Sequence, residues 1–237
     1  MEINPKDVQV RTITRIGPGF RREVEDFLIR EVIWHIELNG EIAAELNCLP
    51  SNLEQLAAGH LFTSGRLRQA AEIEKISIDE EANKIIVKLN PAAYSPRKAP
   101  DEGEDTLSAA DIHRLQGEFN DRGELFRQTG AAHSVALADK GGLIIFFDDV
   151  ARHNALDKVI GEMVLRGLSP ANKALLVSSR LATDMLRKVR AIGVKILAAP
   201  GAPTAEGVSL AEENGITLLG FVRPDNINVY THAHRIS

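Results

Sequence analysis

Ionisable side chains of both signs are concentrated between residues 149 and 158, where they could bind an anionic ligand. Asp149, Arg152, His153 and Lys158 follow the short apolar run Leu143 to Phe147. That run is too short for an average helix and has no helical period, so it predicts a buried strand. Guanidinium, imidazole and ammonium groups suit the recognition of phosphate or carboxylate. The segment therefore predicts a polar turn that could hold an anion.

A helix is predicted directly after this turn, from Asn154 to Arg166. Asn154 is a favourable N-cap residue, and Asp157 stands three residues later as in a capping box. Apolar residues then recur at helical spacing: Ala155, Leu156, Val159, Ile160, Met163 and Val164. Ligands of open α/β sheets bind where a strand turns into a helix N-terminus. An ordinary capped helix with solvated charges is the alternative.

Three further turns of similar character follow predicted strands. The pattern strand 143–147, helix 154–166, strand 174–178, helix 181–192, strand 194–198, helix 205–214 and strand 217–221 predicts a largely parallel sheet between helices. Parallel strands end at one rim, which gathers four turns: Asp148 to Asn154, Ser178 to Arg180, Ala199 to Thr204 and Phe221 to Asn226. Arg152, Arg180 and Arg223 on this rim indicate a phosphate-bearing, nucleotide-like ligand. Four well-capped turns without a ligand are the alternative.

The remaining elements predict a smaller α+β unit before this sheet. Strands are predicted at residues 8–14 and 32–38, and Asn39-Gly40 predicts a hairpin into residues 41–46. Ser51 and Glu54 form a capping box for a helix ending at Gly65, and a second hairpin covers residues 76–89. A helix from Ser108 and a second helical segment from about Glu124 through His133 to Leu137 precede the sheet.

Composition divides the chain into three parts. Residues 91–106 are rich in proline and charge and contain almost nothing apolar, as in a linker or mobile loop. The predicted boundaries are 1–92 for an N-terminal α+β domain, 93–106 for the loop and 107–237 for a C-terminal α/β domain.

Charge and cysteine content exclude several classes of function. The 237 residues carry a net charge of −5 without a basic stripe, so a nucleic-acid partner is not expected. No apolar run has the length of a membrane span or signal core, which predicts a cytoplasmic protein without membrane attachment. A single cysteine, Cys48, excludes internal disulfides and Cys-rich zinc sites. His232 and His234 could bind a metal but are interpreted as exposed, and no metal site is predicted.

With these residues identified, the sequence resembles the FdhD/NarQ family of formate dehydrogenase accessory proteins. The resemblance rests on the string RHNALDK at Arg152 to Lys158, and on matches along nearly the whole chain outside residues 91–125. These are Asn39-Gly40, Pro50 to Leu61, Thr129-Gly130 with His133, Ser179-Arg180, Ala202 to Thr204, Gly220-Phe221 with Arg223, Asn228 to Thr231, and Arg235-Ile236.

The resemblance implies a fold, a function and a set of site residues. The implied fold is a C-terminal cytidine-deaminase-like α/β/α sandwich with a smaller N-terminal α+β domain. Family members are described as sulfurtransferases that pass persulfide sulfur from a cysteine desulfurase to the molybdopterin guanine dinucleotide cofactor (Mo-bis-MGD) of formate dehydrogenase. The implied partners are a formate dehydrogenase-type molybdoenzyme and a cysteine desulfurase, and a homodimer is left open. Cofactor-binding positions are His133, Asp149, Arg152, His153, Asn154, Lys158, Ser179, Arg180, Pro203, Thr204, Phe221, Val222, Arg223, Pro224, Asp225 and Asn226.

The chemistry implied by the family lacks its usual residues in this sequence. Deamination would need a zinc-binding cysteine pair and a catalytic glutamate near His133, and the chain has neither. The family's CxxC motif is also missing: residues 93–105 contain no cysteine. Cys48 is the only thiol that could carry a persulfide, and its apolar neighbours indicate a buried, inert residue. Three functions stay open: a cofactor-binding accessory protein, a sulfurtransferase that uses Cys48, and a cysteine-less paralogue that acts as a non-enzymatic partner or regulator of a molybdoenzyme.

Overall fold

The computed structural model describes residues 3–93 and 105–237, so most of the predicted loop, including Asp101, Glu102 and Glu104, lies outside the described residues. The N-terminal part contains a two-stranded ribbon, a four-stranded sheet of order β4-β3-β6-β5, and one α-helix. Its elements are β1 (Val8–Gly17), β2 (Phe20–Ile29), β3 (Val32–Leu38), β4 (Glu41–Cys48), α1 (Leu53–Thr63), β5 (Ile73–Asp79) and β6 (Lys84–Leu89).

The C-terminal part is built on a six-stranded sheet of order β12-β11-β10-β9-β7-β8. Its elements are α2 (Ala109–Arg122), α3 (Glu124–Thr129), β7 (His133–Asp139), β8 (Gly142–Asp149), α4 (Arg152–Arg166), β9 (Ala174–Val177), α5 (Thr183–Ile192), β10 (Ile196–Ala198), α6 (Ala205–Glu213), β11 (Thr217–Gly220) and β12 (Asn228–Val229). The α/β class and the alternation of strands and helices after residue 143 are confirmed. No helix in the described part of the chain combines the length and apolar character needed to cross a bilayer.

The prediction of a largely parallel sheet was wrong in one respect. Only β9, β10 and β11 are parallel neighbours, because β7 lies between β8 and β9 and pairs antiparallel with both. The predicted helix through His133 to Leu137 is this strand. Val135 and Leu137 belong to the core cluster on one face of the sheet, and Ala136 and Ala138 belong to the cluster on the other face. Because both faces are buried under helices, the strand shows no alternation of polar and apolar residues. Since β8 to β11 still point the same way, their carboxyl ends share one rim with the start of β7.

Helices pack on both faces of this sheet. Ile112, Leu115 and Phe119 of α2 cover one face, while α4 and α5 lie in the core cluster on the other. Outside α4 lies α1, which joins the N-terminal part to the same core. The helix predicted from Ser108 is confirmed, since Ser108 Oγ accepts a hydrogen bond from the Asp111 backbone N–H. The specific likeness to cytidine deaminases and the three-part domain division stay predictions.

Two glycines allow α1 and α4 to touch through their backbones. A Cβ atom on Gly59 would lie 1.8 Å from the Asp157 carbonyl oxygen, and one on Gly161 would lie 1.9 Å from the Gln55 carbonyl oxygen. No other residue fits either position without separating the helices. The N-terminal helix is thereby held directly over the helix that begins at the rim.

The N-terminal predictions were confirmed for the two hairpins and wrong for the helix cap. Strands β3 and β4 pair across Asn39-Gly40, and β5 pairs with β6. Helix α1 begins at Leu53 after Asn52 in a left-handed conformation, and Ser51 Oγ donates to Asp7 Oδ2 at 2.8 Å instead of capping the helix. The ribbon partner β2 was not predicted.

Candidate functional site

The turn between β8 and α4 is the centre of the candidate site, and its helix begins earlier than the sequence indicated. Helix α4 starts at Arg152, with Ala151 as N-cap and no side-chain cap. The prediction of Asn154 as N-cap was wrong because its amide points inward. Asn154 Nδ2 donates to the Asn47 carbonyl at 2.7 Å and to Asp149 Oδ1 at 3.1 Å. The first helical residues, Arg152 and His153, are therefore presented at the rim.

Asp149 and Lys158 form a fully buried ion pair behind this turn. Both side chains have 0% exposure, and Lys158 Nζ lies 2.7 Å from Asp149 Oδ2. Lys158 Nζ also donates to the Asp148 carbonyl, and Asp149 accepts the backbone N–H groups of Leu49 and Ala151. Such a pair needs further hydrogen bonds to offset its desolvation. Asp149, Asn154 and Lys158 were predicted to bind a cofactor, but the structure gives them a role in joining β4, β8 and α4.

Arg152 and His153 remain accessible on the other side of the turn, where one carboxylate holds both. Arg152 Nη2 lies 2.9 Å and His153 Nε2 3.0 Å from Oδ2 of Asp184, in the first turn of α5. About a third of each of these two side chains is exposed, 35% for Arg152 and 33% for His153. Burial lowers the pKa of His153 below its usual value, although Asp184 pulls it upward. Burial opposes ionisation of Asp184, yet its hydrogen bond from Arg152 leaves the pKa of the carboxyl lowered overall.

A cavity of about 460 Å³ opens beside the start of β7. His133, Ser134, Ser178 and Pro200 line its rim side, and the aromatic rings of Phe119 and Phe126 belong to its wall. The Ser134 backbone N–H donates to Ser178 Oγ at 3.0 Å. Burial lowers the pKa of His133, and the positive charge of Arg152 lowers it further. Arg152 of the charged turn is therefore near enough to His133 of this cavity to affect its ionisation.

The loops after β9, β10 and β11 lie against one another, as predicted. A Cβ atom on Gly201 would lie 2.7 Å from the Ser179 carbonyl oxygen, and the Phe221 N–H donates to the Gly201 carbonyl at 3.2 Å. Arg180 is exposed on the first of these loops, and Phe221 on the third has a positive φ of 49°. These contacts bring three of the predicted segments onto one rim.

Not every predicted residue of these loops presents its side chain to solvent. Thr204 Oγ1 accepts the Gly207 N–H as the N-cap of α6, Pro203 is half-buried, and Val222 is buried. The exposed positions of the last loop are Phe221, Arg223, Pro224, Asp225 and Asn226. The Arg223 N–H donates to the Asn226 carbonyl, which closes this loop on itself.

Asp148 lies in a predicted rim turn but was not among the predicted cofactor-binding positions. Burial raises its pKa to about 6, although Ser134 Oγ donates to Asp148 Oδ1 at 2.6 Å and Lys158 acts in the opposite direction. Ser178 likewise lies in a predicted rim turn without being among those positions, whereas Asp184 and Ser134 were missed. An acidic residue in the first turn of a helix is the only signal for Asp184, and it is common to most helices.

Cys48 lies behind the buried ion pair and is inaccessible. Its exposure is 0%, and both neighbouring backbone groups are engaged: the Asn47 carbonyl accepts from Asn154, and the Leu49 N–H donates to Asp149. Burial, followed by the negative charge of Asp149, raises the pKa of the Cys48 thiol to about 12. A persulfide carrier needs an accessible thiolate, and Cys48 offers neither property. No group of three residues suited to holding a metal ion occurs within residues 3–93 and 105–237.

Comparison with known proteins places the chain among relatives of similar length. The sequence profile of the FdhD/NarQ family matches residues 29–102 and 94–237. The sulfur carrier protein FdhD of Shouchella clausii strain KSM-K16 is 33% identical, with 98% of each chain covered. That of Bacillus subtilis strain 168 is 32% identical, with 99% of each covered. A crystal structure of a candidate formate dehydrogenase accessory protein from Desulfotalea psychrophila superimposes with a TM-score of 0.85 at 31% identity, covering 97% of this chain and 99% of that one. The chain belongs to the FdhD/NarQ family.

Proposed function

We propose that this protein binds the guanine nucleotide part of the molybdopterin guanine dinucleotide cofactor at the rim. It would thereby assist the maturation of a molybdenum-dependent formate dehydrogenase. The observation that carries the proposal is the position of Arg152 and His153, held on Asp184 beside the cavity lined by His133. The same proposal places the protein in the cytoplasm and gives its C-terminal part a cytidine-deaminase-like fold. It also includes contact with the client molybdoenzyme.

The described residues fit the two chemical parts of such a ligand. A guanidinium has five N–H donors, and Asp184 engages one nitrogen of Arg152, so donors remain for a phosphate. The neighbouring cavity has a mainly apolar wall with Phe119 and Phe126, to which a flat base is suited. Arg180 and Arg223 are exposed on the adjoining loops and add positive charge at the same rim.

Sulfur transfer is the family role that the residues of this chain support least. The relatives are named sulfur carrier proteins. Here the only cysteine is buried, and its pKa is raised to about 12. These observations favour a second candidate function, in which the protein holds or presents the cofactor as a non-enzymatic partner of a molybdoenzyme while another protein carries the sulfur.

Isothermal calorimetry with GDP tests the binding proposal. We expect the wild type to bind GDP and Arg152→Ala to bind about tenfold more weakly, because a charge-assisted hydrogen bond contributes about 1.5 kcal/mol. Arg190→Ala is the matched control, since Arg190 is exposed in the last turn of α5, at the end of that helix away from the rim. Absence of binding by the wild type at millimolar GDP would refute the proposal, and so would equal losses in both variants.

Sulfur loading distinguishes the family role of sulfur transfer from the non-enzymatic candidate function. The protein is incubated with a cysteine desulfurase and cysteine, and its intact mass is measured with and without a reductant. We expect no reducible sulfur adduct on the wild type. An adduct that disappears in Cys48→Ser would establish this thiol as a carrier and exclude the non-enzymatic alternative.

A further inference from the structure

A second cavity, of about 140 Å³, lies where the N-terminal part meets the end of β8. Its walls come from the short 3₁₀ turn before β1, the segment between β4 and α1, the start of α3 and the last residues of β8. A water molecule needs about 10–15 Å³ of such space, so the cavity has room for an ion together with several waters. The described residues that line it are all different from those of the cavity beside His133.

Asp7 lines this cavity with a carboxylate that has only one of its oxygens engaged. The side chain belongs to a residue that is 6% exposed. Ser51 Oγ donates to Asp7 Oδ2 at 2.8 Å, whereas Oδ1 is buried and accepts no hydrogen bond from any described residue. A buried carboxylate oxygen without a partner is costly, because burial removes water and nothing replaces it. Burial accordingly raises the pKa of Asp7. Asp7 Oδ1 therefore has the capacity to bind a ligand.

Asp148 lines the same cavity from the end of β8, and it is engaged in the same way. Ser134 Oγ donates to Asp148 Oδ1 at 2.6 Å, and no hydrogen bond from the described residues reaches Oδ2. Burial raises the pKa of Asp148 to about 6, and the negative charge of Asp7 contributes to that rise. The two carboxylates are thus near enough to repel each other, and each has one oxygen left for a ligand.

The surrounding charges compensate these two carboxylates only in part. Lys158 lowers the pKa of both, but its ammonium group lies 2.7 Å from Asp149, with which it is paired. Glu124, a third acid in the lining, is held in an ion pair within its own helix. Arg122 also lines the cavity, but its side chain is exposed and no carboxylate of the described residues holds it there. Two negative charges therefore face one small cavity.

We propose that this cavity binds a hydrated divalent cation of the magnesium class through the carboxylates of Asp7 and Asp148. Magnesium is coordinated by oxygen, keeps several of its waters and is usually held by one or two carboxylates. No histidine or cysteine among the described residues lines the cavity, so metals that prefer nitrogen or sulfur ligands are not expected. The described chain also has no group of three side chains suited to a metal, which favours an ion that retains most of its water over calcium.

The ion would fasten the N-terminal part to the scaffold behind the rim. Asp7 lies just before β1, whereas Asp148 lies near the end of β8 and accepts from Ser134, which lines the cavity beside His133. The ion would contact these carboxylates and not the nucleotide. Its main effect should therefore be on stability, and the proposal can fail while GDP binding at the rim is upheld.

Urea unfolding with and without magnesium tests the site. The protein is freed of metal with a chelator and unfolded at about pH 8, above the pKa of about 6 of Asp148. We expect millimolar magnesium chloride to raise the urea midpoint of the wild type, because a ligand of the folded state stabilises that state. In Asp7→Asn and in Asp148→Asn the apparent affinity for magnesium should be at least about tenfold weaker, since each variant loses one of two charged ligands.

Two controls separate loss of the ion from loss of the fold. Without magnesium, the urea midpoint of Asp7→Asn should be no lower than that of the wild type, because a neutral amide costs less to bury than a charge. Asp139→Asn, at the opposite end of β7, should keep the full response to magnesium. A wild-type midpoint that magnesium leaves unchanged at constant ionic strength would refute the proposal and leave a proton as the group that neutralises Asp7. Equal responses of the wild type and Asp7→Asn would refute it as well.

Paramagnetic manganese locates the ion, because Mn²⁺ shares the preference of magnesium for octahedral oxygen ligands. We expect substoichiometric Mn²⁺ to broaden first the backbone amide signals of Asp7, Ser51 and Phe147, which line the cavity. Signals of β12, at the other edge of the sheet about 24 Å from β8, should stay sharp. Excess magnesium should restore the broadened signals. Broadening that is equal at β12, or that persists unchanged in Asp7→Asn, would overturn the assignment to this cavity.

Discussion

The two sides of the turn between β8 and α4 differ in what their polar residues do. Asp149, Asn154 and Lys158 point inward, where they bind one another and the chain around Cys48. Arg152 and His153, from the same string of residues, point outward and share Asp184. Polar residues of one short segment thus divide between scaffold and rim: those on α4 divide by the face of the helix on which they lie, and Asp149 lies inside at the end of β8.

This difference shows why a family-specific string need not be a list of ligand-binding residues. The buried side fixes where α4 begins, and the exposed side uses that position to present two side chains at the rim. A substitution on the buried side should therefore act mainly on stability, and one on the exposed side mainly on binding. Three substitutions separate these effects.

The largest effect is expected from Lys158→Met. Removing Lys158 leaves Asp149 as an unpaired charge at 0% exposure, and breaking a buried pair in this way costs about 4 kcal/mol. Urea unfolding followed by circular dichroism measures the loss. The double variant Lys158→Met with Asp149→Asn removes both charges and keeps an acceptor oxygen, so it should recover at least half of the stability. A single variant within about 1 kcal/mol of the wild type would contradict the structural role of the pair.

The sequence predicted the strand and the helix of this comparison better than it predicted which of their side chains point inward. The apolar run 143–147 and the periodicity after residue 154 identified β8 and α4, because both follow from local pattern. The inward turn of Asn154 could not be predicted, since its partner is the carbonyl of Asn47, more than a hundred positions away. The burial of Lys158 depends on the same distant segment.

Other errors have equally physical causes. Helices cover both faces of the sheet at strand β7, so its residues are small or apolar on both sides. The strand therefore lacks the alternation of polar and apolar residues that distinguishes a strand from a helix. The ribbon partner β2 mixes charges with apolar residues because both of its faces are largely exposed. Asp184 was missed because its role arises only when α5 lies beside α4.

An intermediate effect is expected from Asp148→Asn, on the boundary between the two sides. Its carboxyl has a pKa of about 6 in the folded protein against 3.8 for the ordinary side chain. Between these values the folded state holds a proton that the unfolded state has lost, so stability falls as the pH rises from about 4 to about 6. Asparagine removes this ionisation and still accepts from Ser134.

We therefore expect Asp148→Asn to raise the free energy of unfolding at neutral pH by about 2 kcal/mol and to flatten the profile between about pH 4 and pH 6. Urea unfolding at a series of pH values measures both changes. Asp139→Asn, at the opposite end of β7, is the control and should leave the slope intact. An unchanged slope in Asp148→Asn would show that this carboxyl does not titrate in that range.

The smallest effect on stability, and the clearest separation of the two sides, is expected from His153→Ala. Burial lowers the pKa of His153, so at neutral pH the ring is mainly neutral and adds little to the binding of an anion. As the pH falls below neutrality the ring gains a proton and should strengthen GDP binding in the wild type, an increase of a few fold that His153→Ala should lack. The free energy of unfolding of the variant should lie within about 0.5 kcal/mol of the wild-type value, because a third of the side chain is exposed.

Calorimetry at two pH values and urea unfolding provide the measurements, with His234→Ala as the control on a histidine near the chain end. A large stability loss without a change in the pH dependence of binding would assign His153 to the buried scaffold with Asp149 and Lys158.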